Sequence, residues 1–214
     1  MTLELFDQDP PWSEEICEGT WLFHGRAIAQ ESALLAALRQ VEASAPFRHM
    51  TTPGGHQMSV AMTNCGSVGW VSDRRGYRYQ ADDPISGRPW PDMPAVFADL
   101  ARQAALDAGF AGFDPDVCLI NRYQPGAKMG LHQDKDETDF AFPIVSVSLG
   151  LPAVFVLGGS QRNDKTQRIP LLHGDVLVWG GVARLRYHGV LTLKPGDHHQ
   201  LGPRRINLTF RKAG

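Results

Sequence analysis

The sequence predicts a two-sheet jelly roll, mainly β with flanking helices. Two features carry that expectation. From residue 118 onward the chain breaks into eight short strand-like runs separated by Gly, Pro and Asp turns. The last run alternates polar Arg205, Asn207, Thr209 and Arg211 with apolar Ile206, Leu208 and Phe210. That period of two sends the two sets to opposite faces of a strand, one towards a core and one towards something polar.

Taken in order, residues 1–20 show no periodicity and are expected to form an arm. Residues 31–45 place Leu34, Leu35, Leu38 and Val41 at helical spacing, and Pro46 stops the helix. Between residues 46 and 91 the texture changes. Pro53-Gly54-Gly55, Gly66, Gly69, Gly76 and Gly87 cut the chain into short pieces, among which residues 58–63 and 76–80 read as strands. Trp70, Tyr77, Tyr79 and Trp90 are interleaved there with Arg74, Arg75 and Arg78, a pattern that offers stacking faces and phosphate contacts or, equally, a small satellite core under a long loop.

A second helix is expected over residues 94–108, with Asp92 as its cap, Pro94 in its first turn, Gly109 at its stop, and Val96, Phe97, Leu100 and Ala104 on its buried face. The eight strand-like runs that follow are residues 118–123, 129–133, 144–149, 153–157, 168–172, 176–179, 185–190 and 206–211. The division expected from this reading is one structural domain with three parts. These are an arm and supporting helix (1–45), a recognition lid (46–91), and a helix plus jelly-roll core (92–214).

Composition narrows the classes. A chain of 214 residues with 43% hydrophobic content can bury one sizeable core. No apolar run approaches the roughly 18 residues of a membrane span, and the N-terminal stretch lacks a signal-peptide pattern. Cys17, Cys65 and Cys118 are too few and too scattered for a disulfide framework or a zinc ribbon, so a reducing cytoplasm is expected. Net charge is −2, but residues 1–45 hold eight acids and two bases (−6), which leaves +4 on residues 46–214. A local basic face that tracks phosphates is compatible with this balance, as are plain solvated arginines.

The chemistry-bearing stretch is Leu131-His132-Gln133-Asp134-Lys135-Asp136. Side chains at i and i+2 of a strand share a face, so His132 and Asp134 can converge on one metal ion. His188, on another strand-like run, is the best third ligand. Two His and one carboxylate on one face of an octahedron leave three positions open, which suits a non-haem Fe(II) oxygenase better than a closed zinc site. Asp136 would face the same side if the strand continues. On the last strand, Arg205 and Arg211 together form a receptor for a dianion, and Asn121 and Tyr123 add a second inward polar stripe. His173-Gly174-Asp175 repeats the His-x-Asp spacing but reads as a turn between strands, and His198-His199 reads as an exposed Pro/Gly loop. Cys118 reads as packing.

Asn121-Arg122-Tyr123, Pro125-Gly126-Ala127-Lys128, His132-Gln133-Asp134-Lys135-Asp136, Ile144-Val145-Ser146-Val147-Ser148-Leu149-Gly150 and Asn207-Leu208-Thr209-Phe210-Arg211 strongly resemble the AlkB family of Fe(II)/2-oxoglutarate dioxygenases. Pro53-Gly54-Gly55 and Ser59-Val60-Ala61-Met62-Thr63-Asn64 extend the resemblance over nearly the whole chain after the arm. It implies a double-stranded β-helix fold with iron on His132, Asp134 and His188. It further implies 2-oxoglutarate paired through its distal carboxylate with Arg205, with Asn121, Tyr123, Asn207 and Arg211 completing the pocket.

The implied activity is oxidative demethylation of bases of the 1-methyladenine and 3-methylcytosine type in single- or double-stranded DNA, or in RNA, by a monomer that releases succinate, CO2 and formaldehyde. Trp70 and His188 would sandwich a flipped base, with Tyr77, Asp136 and Arg162 as further substrate contacts. The chain departs from the family pattern at His56, at Gly130 and over residues 195–203. Hydroxylation of a protein or small molecule on the same scaffold is the alternative activity, and a non-catalytic iron or 2-oxoglutarate sensor is a third class.

Overall fold

A computed structural model describes residues 12–214. Its elements are β1 (Ser13–Cys17), β2 (Thr20–Phe23), α1 (Glu31–Ser44), β3 (Arg48–Thr51), β4 (Gln57–Gly66), β5 (Gly69–Asp73), β6 (Gly76–Gln80), α2 (Ala95–Asp107), β7 (Val117–Tyr123), β8 (Met129–His132), β9 (Ile144–Gly150), β10 (Ala153–Leu157), β11 (Gln167–Leu171), β12 (Val176–Trp179), β13 (His188–Val190) and β14 (Arg205–Arg211). An eight-stranded sheet runs β1-β2-β12-β9-β14-β7-β4-β3, and a four-stranded sheet runs β11-β10-β13-β8. The hairpin β5-β6 is a sheet of its own.

The period of two in β14 decides the layering. Ile206, Leu208 and Phe210 join Val145, Val147, Leu34, Leu38, Phe97 and Leu100 in one core, between the large sheet and the two helices. Phe97 of α2 meets Phe210 edge-on, with ring centroids 6.1 Å apart, a contact worth about 0.5–1.5 kcal/mol beyond its burial. A second core, with Leu22, Met62, Leu119, Tyr123, Phe155, Leu171, Trp179 and Val190, fills the space between the two sheets. Arg205, Asn207, Thr209 and Arg211 face that inter-sheet space, and all four are buried. The polar stripe is therefore interior and not a solvated face.

Several expectations are corrected. Residues 13–23 are not an arm but the outer strands β1 and β2, paired through β2 to β12. The sequence Ser13-Glu14-Glu15-Ile16-Cys17 lacks apolar alternation because an edge strand leaves its side chains in water. Residues 1–11 of the expected arm lie outside the described residues. The expected lid at 46–91 is also divided. β3 and β4 belong to the large sheet, and β4 is ten residues long and buried from Val60 to Gly66, so only the β5-β6 hairpin stands apart.

Under that hairpin lies a satellite core of Ala45, Val71 and Trp90. Gly69 is required there, since a Cβ would lie 2.4 Å from the Trp90 ring. Asp92 does not cap α2: Pro94 occupies the cap position, and its carbonyl accepts from Phe97 and Ala98 N–H. The run 185–190 contributes only His188–Val190 to a strand. Cys118 is packing, fully buried and paired in register with Cys65.

Candidate active site

β8 and β13 pair with His132 directly opposite His188. The ring centroids are 4.4 Å apart. Each ring is fixed by its own strand: His132 Nδ1 donates to the Gly130 carbonyl at 2.9 Å, and His188 Nδ1 donates to the Arg186 carbonyl at 3.0 Å. A carbonyl only accepts, so each Nδ1 carries a proton and each neutral ring keeps its Nε2 lone pair. Both Nε2 atoms turn to Asp134, at 3.5 Å from Oδ1 for His132 and 3.7 Å from Oδ2 for His188. The three ligating atoms lie within 4.8 Å of one another, close enough to share an ion. β8 ends at His132, so Asp134 reaches the cluster from the following loop and not from a continued strand.

Electrostatics bind the cluster to the large sheet. Burial alone would raise the Asp134 carboxyl, but the Arg211 guanidinium and the two imidazoles overcome it and hold it well below its usual 3.8. Arg211 Nε and Nη2 grip Asp134 Oδ2 at 3.0 and 2.6 Å. Burial opposes charge on His132, yet the carboxylate wins and raises it, whereas burial and the neighbouring His132 lower His188.

Three residues not anticipated from sequence complete the network. Tyr79 OH donates to Glu137 at 2.6 Å, Arg184 pairs with Glu137 at 3.1 Å, and Arg184 Nη1 donates to the Asp134 carbonyl at 2.8 Å. Two buried carboxylates, Asp134 and Glu137, thus face two buried guanidiniums, Arg184 and Arg211, so charge balances inside the protein. The signal that could have found Glu137 is the run of acids at 134, 136 and 137, of which only a paired one can be buried.

Further along the same face, Asn121 lies opposite Asn207, and Tyr123 opposite Arg205. Asn207 Nδ2 donates to Ser146 Oγ at 2.8 Å and to the Val147 carbonyl at 3.1 Å, while its Oδ1 accepts from Thr209 at 2.9 Å. Arg205 is 1% exposed and has no carboxylate partner among the described residues. Its Nη2 donates to Ser148 Oγ at 3.0 Å, its Nε and Nη1 meet no acceptor in the protein, and Asn121 Oδ1 is likewise unpartnered. Burial lowers the Arg205 pKa, opposed by Tyr123. A buried cation with two free N–H edges is a seat for a carboxylate. Arg211, expected beside it, lines the same cavity and pairs with Asp134.

These groups open on one cavity of about 480 Å³, lined also by Trp70, Tyr77, Asp136 and Arg162. Trp70 and Tyr77 stack with centroids 5.5 Å apart and 14° between planes. Trp70 is held by a buried side chain, since Asn64 Oδ1 accepts from Trp70 N–H and Asn64 Nδ2 donates to Trp70 C=O, both at 3.0 Å. Asp136 is exposed and accepts from the Trp70 indole at 2.8 Å. Arg162 donates to the Leu131 carbonyl at 2.9 Å. Every sequence-predicted site residue therefore reaches this cavity, Trp70 and His188 among them. Gly130 lines it too, and a Cβ there would meet open space.

His173-Gly174-Asp175 is a turn: Asp175 accepts from Gly25 and Leu172 N–H, and Gly174 has φ +86°.

The geometry coincides with a family comparison. Residues 19–211 match the 2OG-Fe(II) oxygenase superfamily. A relative from Salmonella typhimurium, the alpha-ketoglutarate-dependent dioxygenase AlkB, is 54% identical over 99% of this chain and 98% of its own. The chain belongs to the AlkB family within the 2OG-Fe(II) oxygenase superfamily. The solved structure of OsALKBH1 superposes with a TM-score of 0.81 at 30% identity, over 95% of this chain and all of that one. The DNA N(6)-methyladenine demethylase ALKBH1C of Arabidopsis thaliana is 32% identical over 69% of this chain and 38% of its own. This AlkB-family dioxygenase uses Fe(II) and 2-oxoglutarate, and its residues fit both. Two imidazole lone pairs and a carboxylate converge for the metal, and the orphaned Arg205 N–H groups suit a dicarboxylate.

Proposed function

We propose that this enzyme removes N-alkyl groups oxidatively from bases of the 1-methyladenine and 3-methylcytosine type in DNA, single- or double-stranded, and in RNA. One observation carries the reading: a single cavity joins the His132/Asp134/His188 cluster, the unpartnered Arg205 and the stacked Trp70–Tyr77 pair. His132, Asp134 and His188 hold the iron, each imidazole through Nε2. Arg205 pairs with the distal carboxylate of 2-oxoglutarate, Asn121, Tyr123 and Asn207 line its slot, and Arg211 steadies Asp134. Held there, Fe(II) and 2-oxoglutarate would supply the oxidising chemistry, one oxygen atom of O2 going to the co-substrate, released as succinate and CO2, and the other to a substrate C–H bond.

The cluster lies between two sheets, so a stacked base cannot reach it and the nucleotide is flipped outward. Trp70 and Tyr77 supply the aromatic surface beside the flipped base, with Asp136 and Arg162 at the rim. Hydroxylation of the N-methyl carbon gives an N-hydroxymethyl base, which loses formaldehyde as the ring nitrogen recovers its ordinary valence. The site is complete within one chain, so a monomer suffices for the reaction, and three free thiols support a reducing cytoplasm.

The test incubates the protein with Fe(II), 2-oxoglutarate and an oligonucleotide carrying 1-methyladenine. Succinate and unmodified adenine should form together in equal amounts. Succinate without repaired base would move the activity to a protein or small-molecule substrate.

A further inference from the structure

A second group of metal-binding side chains stands on the other side of the large sheet's edge, where residues 191–204 pass the start of α1. Glu31, His198 and His199 each offer one ligating atom, and these atoms lie within 4.8 Å of one another. The His198 and His199 rings are 4.4 Å apart, centroid to centroid. Ligands each about 2.0–2.2 Å from a shared tetrahedral ion sit about 3.3 Å apart, so a small rotation of the exposed His199 closes the set.

A neighbour shapes the site without entering it. His173 Nδ1 accepts the Gly150 N–H at 2.9 Å, so in the neutral ring the proton sits on Nε2. That Nε2 lies 3.1 Å from Glu31 Oε1. His173 thus turns a protonated nitrogen towards the carboxylate and is not itself a ligand, a placement from which outer groups orient carboxylates around metal ions. Glu31 Oε1 and His173 Nε2 are both buried, yet neither has a well-aligned hydrogen bond in the protein. The Gln200 and Leu201 N–H groups donate to His198 Nδ1 only at 3.4 Å, so the hydrogen bonding that holds this ring is weak.

We propose that Glu31, His198 and His199 form a second metal site, selective for a borderline divalent ion such as Zn(II), that fastens the 191–204 connection to α1. Two imidazoles and one carboxylate with an open fourth position are a donor set used for Zn(II), whereas Ca(II) and Mg(II) require oxygen ligands. The connection it would fasten carries Leu201, which is buried in the helix-side core, and runs directly into Arg205. The site lies in the segment where the sequence departs from the family pattern, and it is separate from the His132/Asp134/His188 cluster.

The experiment is equilibrium dialysis of the full chain against Zn(II) alone, with bound metal counted per chain, in wild type and three variants. Wild type should bind two equivalents. His132→Ala/His188→Ala should keep one, and so should His198→Ala/His199→Ala. Glu31→Gln, which preserves shape, should also fall to one. The Zn(II)-dependent rise in Tm that remains in His132→Ala/His188→Ala should disappear when His198→Ala/His199→Ala is added. Zn(II) binding unchanged by His198→Ala/His199→Ala, or a wild type that stops at one equivalent, overturns the proposal.

Discussion

Arg211 and Asp134 form a buried ion pair, with guanidinium Nε and Nη2 both donating to one carboxylate oxygen at 3.0 and 2.6 Å. The last strand of the large sheet thereby grips the carboxylate of the small sheet's metal cluster, so the two sheets share one electrostatic joint. Removing one partner of such a pair strands the other and costs about 3–5 kcal/mol. Arg211→Leu should lower the unfolding free energy of the iron-free protein by about that amount. Denaturant unfolding of Arg211→Leu, Asp134→Ala and the double variant gives the coupling, and simple additivity of the two losses would contradict it.

The same pair sets an acid limit. Asp134 titrates well below 3.8 in the folded chain, so below about pH 4 the unfolded chain binds more protons than the folded one. The stability it contributes is complete above the unfolded value and is lost as pH falls towards the folded value. Unfolding of the iron-free protein between pH 5 and pH 2, conditions spanning about that window, should steepen on the acid side in wild type. Arg211→Leu should flatten that slope.

His132→Ala and His188→Ala should each abolish turnover with the fold retained, and His188→Ala should also lower Tm, because its buried ring packs on Phe155 and Trp179 of the inter-sheet core. Asp134→Ala should also abolish turnover but destabilise the chain, since Arg211 loses its carboxylate. Near-normal iron-dependent demethylation by His188→Ala would remove it from the ligand set.

Arg205→Leu separates binding from stability. A hydrogen-bonded charge contributes about 1.5–3 kcal/mol, so the KM for 2-oxoglutarate should rise about ten- to a hundredfold, with oligonucleotide affinity unchanged. Arg205 is buried without a carboxylate partner in the protein, so the ligand-free variant should be at least as stable as wild type. A fall in Tm together with an unchanged KM would place the dicarboxylate elsewhere.

At the cavity rim the effects are smaller. Asp136 is exposed and bonded to the Trp70 indole, so its attraction for a cationic base is that of a surface pair, about 0.2–1 kcal/mol. Asp136→Asn should lower the ratio of kcat/KM for 1-methyladenine to that for 1-methylguanine by about 1.4- to fivefold. Arg75 and Arg78 are both paired with Asp73, whereas Arg74 has no carboxylate partner among the described residues. Arg74→Ala should therefore reduce the salt dependence of oligonucleotide binding by about one counterion, and Arg75→Ala much less.

Much of this was legible in the sequence, for identifiable reasons. β14 announced both its faces because side-chain direction on a strand follows from period two alone, and the helices α1 and α2 announced themselves through apolar spacing and their stops. β1 was illegible because an edge strand needs no apolar face, and β4 was legible only over residues 58–63, its full length of Gln57–Gly66 being hidden because burial on both faces erases alternation. Arg211 was expected in the co-substrate pocket and lines that cavity, but its pairing with Asp134 was hidden because composition cannot tell which of two inward arginines meets an internal carboxylate. Glu137, Arg184 and Tyr79 belong to the same blind spot: a neutral buried network depends on which side chains meet in space. Asp136 was placed correctly at the cavity for a wrong reason, since the strand that was to aim it ends at His132.

The β5-β6 hairpin is fastened at its base by Asn64, whose side chain completes the hydrogen bonding of Trp70, and by Ser72, whose hydroxyl donates to the Thr51 carbonyl at 2.7 Å. Its tip, Arg74 and Arg75, touches neither large nor small sheet through any strand pairing. Substitutions at Arg74 and Tyr77 can therefore change what meets the cavity rim without touching the His132/Asp134/His188 cluster. A library randomised at those positions, with Asn64 and Gly69 held fixed, should retain the fold and diversify which modified nucleotides are accepted.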